Sequence, residues 1–483
     1  MDPNPDPHDP NKKIADDHYQ GVFNYLDKML MEEDDLANRP CMSTDSLALQ
    51  ATETSFYNVL VEKHSSGSGS GSGSQETELL KLFDTTLLCE DITHLWLHNL
   101  GSSSFRGNVK KKRRKVVGQV VNVTKLLIQC SEKVAFNDAP GAVEILKMIR
   151  KYSSPNGSST ERKAHYFANA IEARICGKGL EVYQAFSSVS ADQMLKSYKA
   201  YITACPFHRM SNIYANKSIM KLVEGRDKVH IIDFGILYGF QWPCIIHALS
   251  LRSGGPPQLR ITGIDFPQPG PQPTERVEET GHRLAEYAKR FNVPFQYKAI
   301  AKDWENVLVE DLEINPEEIL VVNCLYRMRN VPDETLVESG PRNLVLKFIR
   351  ELNPQMFVHG VLNGTFNSTY FPLFDMFEAT YGREDKDREF FEQHVLGRDI
   401  VNVVACEGRS RVERPETYQK LQLKNSRNGF VQMPLDSDLV VEARAKVEKN
   451  YHKDFMVHQD NNWMWQGWKG KILYALSLWR PAN

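Results

Sequence analysis

Residues 228–239 read KVHIIDFGILYG. The short apolar run Val229-His230-Ile231-Ile232-Asp233-Phe234 ends against Gly235, and its length and flanks predict a strand of a parallel sheet, buried on both faces. Similar runs return at 259–265, 318–323 and 356–361. Helical patterns separate them, notably at 275–291 and 333–352. Strands alternating with helices predict an α/β fold built on a doubly wound, mostly parallel sheet. Two later runs, 401–406 and 471–479, are expected to add antiparallel strands.

The loop after the first strand carries the sharpest chemistry. Glycines directly after a strand allow a tight turn and close approach of a ligand to the next helix N-terminus. In the Rossmann-type core of S-adenosylmethionine-dependent methyltransferases, an acid is followed by Gly at three alternate positions. Here Gly235 and Gly239 stand, but the middle position is Leu237, whose side chain would project where the cofactor has to pass. Asp265 ends the second strand where such enzymes hold a ribose, and Asp303-Trp304 lies near their adenine contact. The sequence therefore predicts a methyltransferase-like core with a damaged glycine loop. HExxH, GxSxG and P-loop patterns are all missing, and the 14 histidines form no metal-spaced cluster. No catalytic residue, metal or cofactor is expected, with a methyltransferase-like enzyme or small-ligand sensor as the alternative.

Outside this core the chain divides by charge. Residues 1–106 hold eighteen Asp/Glu against seven Lys/Arg, with early prolines and a Gly/Ser tract at 67–74, and read as a disordered acidic arm. Within it, residues 22–31 (VFNYLDKMLM) are apolar at helical spacing and run into Glu32-Glu33-Asp34-Asp35. A second island surrounds Leu47, Phe56, Tyr57 and Leu60. Segments of this composition suit docking on a partner, with packing back onto the main domain as the other reading. Residues 107–116 contain Lys110-Lys111-Lys112-Arg113-Arg114-Lys115, six cations in a row, read as a nuclear import signal with DNA contact as a second use. The expected compartment is the nucleus. From 117 onward, stripes at Val123/Leu127/Cys130/Val134, Ala142/Ile145/Leu146/Ile149 and Ala164/Phe167/Ala168/Ile171/Ile175 predict three helices.

The formal charge of −2 excludes a globally basic nucleic-acid binder. No run of about 18 uncharged apolar residues occurs, so no membrane partner is expected. Eight scattered cysteines without a CxxC pair argue for a reducing compartment. His230 and His359, inside predicted strands, read as satisfied core histidines. Arg327 and Arg329 follow a strand at its carboxyl end, the ligand-facing edge of an open sheet, and are candidate DNA or anion contacts, with ordinary surface arginines the equal alternative. The Trp-rich stretch 461–470 reads as core and not as a base-stacking platform.

Val229-His230-Ile231-Ile232-Asp233 is the VHIID element of GRAS-domain (SCARECROW-like) plant proteins, and the resemblance runs from about residue 117 to 483 in five ordered blocks. These are a leucine repeat at about 121–181, the VHIID region at about 200–265, a second leucine repeat at about 281–313, a PFYRE-type region at about 322–404, and a SAW region at about 407–481 with Trp463, Gly467, Trp468 and Trp479. The acidic-apolar blocks of the arm resemble the large GRAS subgroup linked to transactivation and stress responses. The resemblance implies a transcription regulator or coactivator, without enzymatic activity, in which the three helices form an N-terminal helical cap. Its implied partners are DNA-binding transcription factors, other GRAS proteins in homo- or hetero-oligomers, and DNA itself, while the basic run adds a nuclear import receptor. A pure adaptor that never touches DNA is a further alternative. Residues 363–375 look shortened relative to that subgroup, which should remodel any groove at that edge.

Overall fold

The protein, described here from a computed structural model, is characterised over residues 122–188, 191–268, 270–332, 340–364 and 366–482. The acidic arm, its Gly/Ser tract and the basic run Lys110–Lys115 lie outside the described residues. The chain divides into two compact units.

One unit is helical. Asn122 caps the helix Val123–Ala135 by accepting from the Lys125 amide, and Val123, Leu127 and Cys130 are buried along one stripe. Asp138, followed by Pro140 in the first turn, caps Ala139–Arg150, which buries Ala142, Leu146 and Ile149. Ser158 and Glu161 form a capping box at the head of Ser159–Ile175, satisfying two otherwise orphaned amides. Arg150 and Glu172 join the second and third helices through a two-pronged ion pair. A short helix, Gly179–Gln184, packs close against Ala405.

The other unit holds a nine-stranded sheet. Its strands are β1 (Lys228–Phe234), β2 (Gln258–Asp265), β3 (Phe295–Ala301), β4 (Ile319–Leu325), β5 (Met356–Leu362), β6 (Phe430–Gln432), β7 (Phe455–Asp460), β8 (Trp463–Trp468) and β9 (Lys471–Pro481). The order is β3-β2-β1-β4-β5-β9-β8-β7, with β6 pairing on β9. Strands β1 to β5 pair in parallel, and β9 closes antiparallel on β5. This is the doubly wound 3-2-1-4-5 order with an antiparallel extension. All seven residues of β5 and six of the seven in β1 are buried, as expected of strands covered on both faces.

Three expectations need correction or completion. Residues 401–406 are not a strand: Arg398–Ala405 is a helix. A six-residue, mostly apolar run has no readable period, and the buried Val401 and Ala405 stand four apart, at helical spacing. The helix expected at 333–352 is Pro341–Glu351, and 333–339 lie outside the described residues. Strand β3 was not foreseen, because at the sheet margin only Ile300 of its seven residues is buried. The Trp-rich segment is core as expected, with Trp463, Trp468 and Trp479 each at most 2% exposed.

Candidate functional site

In open α/β sheets, ligands bind outside the carboxyl ends of the strands, where the strand order reverses. That edge here lies at the ends of β1, β2 and β4, and β1 is central because it carries VHIID. Val229, Ile231 and Ile232 are core residues at 1% exposure or less. His230 is equally buried; its Nε2 meets Thr262 Oγ1 at 2.8 Å, and burial followed by nearby Arg260 holds the imidazole down at about 3, hence neutral. His359 on β5 is the same case: its Nδ1 pairs with Asn425 at 3.2 Å, and burial keeps it neutral at about 3.

Asp233, at the tip of β1, spends both carboxylate oxygens inside the protein. Trp242 Nε1 donates to Oδ2 at 2.8 Å and Asn323 Nδ2 donates to Oδ1 at 2.8 Å. Asn323 also donates to Gln241, which in turn donates to Asn216. Burial raises the Asp233 carboxyl to about 7, with its two donors pulling the other way. A buried polar network of this kind fixes the β1–helix junction.

The loop following β1 is built from positive-φ positions: Gly235 at +91°, Leu237 at +49° and Gly239 at +68°. For Leu237 this conformation costs about 1–2 kcal/mol. Thr280 on the helix Glu275–Arg290 clamps it by donating to the Leu237 carbonyl at 2.7 Å. Gly239 has to be glycine for a second reason, since a Cβ there would stand 2.9 Å from the Thr280 methyl.

Asp265, at the end of β2 and 1% exposed, is likewise committed. Arg276 Nη2 donates to it at 2.9 Å, the Phe266 amide donates at 2.9 Å, and Arg327 Nη2 approaches within 3.8 Å. The chain leaves β4 through Tyr326 at φ +66°, and Arg327 then lies directly over the loop. A Cβ on Gly235 would fall 2.5 Å from Arg327 Cβ and Cγ. The place above the glycine loop is thus filled by Arg327, and the ribose-type carboxylate is neutralised by the protein's own guanidinium groups. Leu237, which the sequence singled out as the block, contributes chiefly its strained turn. Trp304 is wholly buried, stacked on Phe266 at 4.9 Å.

Arg329 faces inward as well, in an ion pair with Glu413, which also accepts from Asn330 at 2.7 Å. Arg327 and Arg329 side chains are 18% and 17% exposed. Arg329, bonded to Glu413 and to the Tyr326 carbonyl, has little left to offer a phosphate. Beyond Arg329 lies a small cleft of about 20 Å³, lined by residues that include Arg342, His359, Arg414 and Glu416. Arg276, Gln241, Trp242, Asn323 and Glu413 were not legible as site residues. The only signal was position, Asn323 and Asp233 being aligned at the ends of adjacent parallel strands. Among the described residues no cluster of His, Cys, Asp or Glu could hold a metal ion, and no helix is long and apolar enough to cross a membrane.

Comparison with known proteins places these features. The GRAS domain family model matches residues 123–480. Scarecrow-like protein 14 of Arabidopsis thaliana is 44% identical over 85% of this chain and 57% of its own length. Scarecrow-like protein 30 of the same plant is 41% identical over 99% of this chain and 92% of its own length. The chain thus spans little more than half of the first relative and nearly all of the second. Among solved structures, SCL7 of Oryza sativa superposes with a TM-score of 0.62 at 26% identity, covering 75% of this chain and 100% of that one.

Proposed function

This chain belongs to the GRAS domain family, and from that premise we propose that it is a nuclear, non-enzymatic regulator of transcription acting through protein partners. The observation that carries the non-enzymatic part is the closed carboxyl edge of the sheet: Arg327 over Gly235, and Asp265 held by Arg276. A cofactor entering there would have to expel a side chain and break an ion pair. The six cations at Lys110–Lys115 support import by a nuclear import receptor. The acidic, apolar-studded arm supports recruitment of the transcription machinery. DNA-binding transcription factors and other GRAS proteins are the partners this reading favours over DNA, because Arg329 is held by Glu413 and Arg327 lies over the glycine loop with its side chain only 18% exposed.

Three measurements test it. Replacing Lys110–Lys115 by neutral residues should abolish nuclear accumulation, and undiminished accumulation overturns the import assignment. Residues 1–66 fused to a heterologous DNA-binding domain should activate a reporter. Calorimetry with S-adenosylmethionine should give no heat of binding, whereas micromolar affinity would restore the enzyme or sensor reading.

A further inference from the structure

The helices Pro341–Glu351 and Tyr418–Arg427 lie on one side of the sheet, where Val345, Leu346 and Ile349 of the first and Tyr418 and Leu421 of the second enter the same apolar core. They meet at the turn Asn428-Gly429. Asn428 Nδ2 donates to Asn343 Oδ1 at 3.2 Å, and Gly429 faces the Arg350 side chain so closely that a Cβ would strike its Nε. Asn343, Lys347 and Arg350 are spaced four and three apart, so Lys347 belongs to the same stripe. Beyond the turn, Val431 on β6 sits opposite Arg480 on β9, and residues directly opposite on paired strands point to the same side.

The outward face of this junction is basic and apolar together. Lys347, Arg350, Lys420, Arg427 and Arg480 are all exposed. Their surroundings differ from those of exposed lysines such as Lys133, Lys147, Lys217 and Lys221, each tied to a carboxylate. Among the described residues none of the five cations has an ion pair, and the two helices carry a single carboxylate, Glu351. Between the cations, Leu423 is 57% and Val431 47% exposed. A phosphate backbone would use the cations but gain nothing from these apolar side chains. An acidic, apolar peptide would use both.

We infer that this face is the docking surface for residues 22–35 of the same chain. That segment, VFNYLDKMLMEEDD, supplies Asp27, Glu32, Glu33, Asp34 and Asp35 against one cation, Lys28, and places bulky apolar residues beside them. Its charge complements the five unpaired cations, and its apolar residues can cover Leu423 and Val431. The connecting chain from 36 to 121 is long enough that reach imposes no limit, at up to roughly 3.3–3.6 Å per residue. Tethering supplies an effective concentration of about 1 mM, so a contact with an intrinsic Kd of about 0.1 mM is about nine-tenths formed. The inference stands independently of whether the arm also activates transcription.

Hydrogen exchange on the full chain tests it, reading the amides of 22–35 at two protein concentrations. Docking slows their exchange about tenfold relative to free-chain rates, equally at both concentrations. Protection is lost in a patch variant (Lys347→Glu, Arg350→Glu, Arg427→Glu) and in an arm variant (Glu32→Lys, Glu33→Lys, Asp34→Lys, Asp35→Lys). It returns when the two are combined. The arm variant changes none of the described residues, so it decides the matter even where the patch variant misfolds. Free-chain exchange in the wild type, or protection surviving either variant, overturns the inference. Protection that grows with protein concentration overturns it in favour of a second copy. Duplex DNA binding abolished by the patch variant, with exchange at 22–35 unchanged, assigns the face to nucleic acid instead.

Discussion

Gly235→Ala probes the claim that Arg327 fills the carboxyl edge of the sheet. At φ +91° an L side chain costs about 1–2 kcal/mol. The new methyl would lie 2.5 Å from two carbons of Arg327, well inside the ~3.5–4.0 Å at which carbons rest. Arg327 therefore has to swing away from Asp265. Arg276 keeps Asp265 paired at 2.9 Å, which holds the loss from the displaced ion to about 1–2 kcal/mol, below the ~3–5 of a buried pair broken outright. With repacking, Gly235→Ala should cost about 3–5 kcal/mol. Urea unfolding of the full chain reads this through tryptophan fluorescence, since Trp242, Trp304, Trp463 and Trp479 are buried. Arg327→Ala alone should cost about 1 kcal/mol, because its Nε is buried without a partner and nothing is lost there. The double variant should be more stable than Gly235→Ala alone, with a favourable coupling of about 2 kcal/mol. Strict additivity of the two single changes would refute the steric reasoning.

Three further outcomes are expected. Asp233 is raised to about 7 from its ordinary 3.8, so between those values the native state keeps a proton that the unfolded chain releases, and stability falls as pH rises through that window. Asp233→Asn should flatten that fall in denaturant midpoints taken from pH 4 to 8, and an unchanged slope would count against the assignment. Trp242→Phe removes the indole donor to Asp233 and should cost about 1–3 kcal/mol while raising the Asp233 carboxyl further, visible as a shift of the same pH profile. Arg388 and Glu392 form an ion pair with both side chains at most 1% exposed, so Arg388→Met should cost about 3–5 kcal/mol. Arg342→Met should cost less in parallel melts, because Glu416 keeps Lys424 at 2.8 Å; the reverse order would show that other contacts dominate.

Much of the fold could be read from local pattern. Strands β1, β2, β4 and β5 were visible because a strand covered on both faces needs an unbroken apolar run, and the helices of the first unit because one buried stripe repeats at helical spacing. Where the pattern was weak, reading failed. Strand β3 is mostly half-buried at the sheet margin, with only Ile300 buried, and the hairpin between β8 and β9 turns on Lys469 and Gly470, both at positive φ, with only the glycine as a cue.

The site divides along the same line. The sequence by itself determined the parallel sheet, the family motif, and the fact that the loop after β1 lacks its middle glycine, because each is a property of neighbouring residues. Only the tertiary structure decided what occupies that edge. Arg276, Asp265 and Arg327 meet because the order β2-β1-β4 sets the ends of distant segments side by side, and Tyr326 turns the chain so that Arg327 comes to rest over Gly235. The ion pairs that close the edge depend on distances across strands, and no spacing along the chain encodes them.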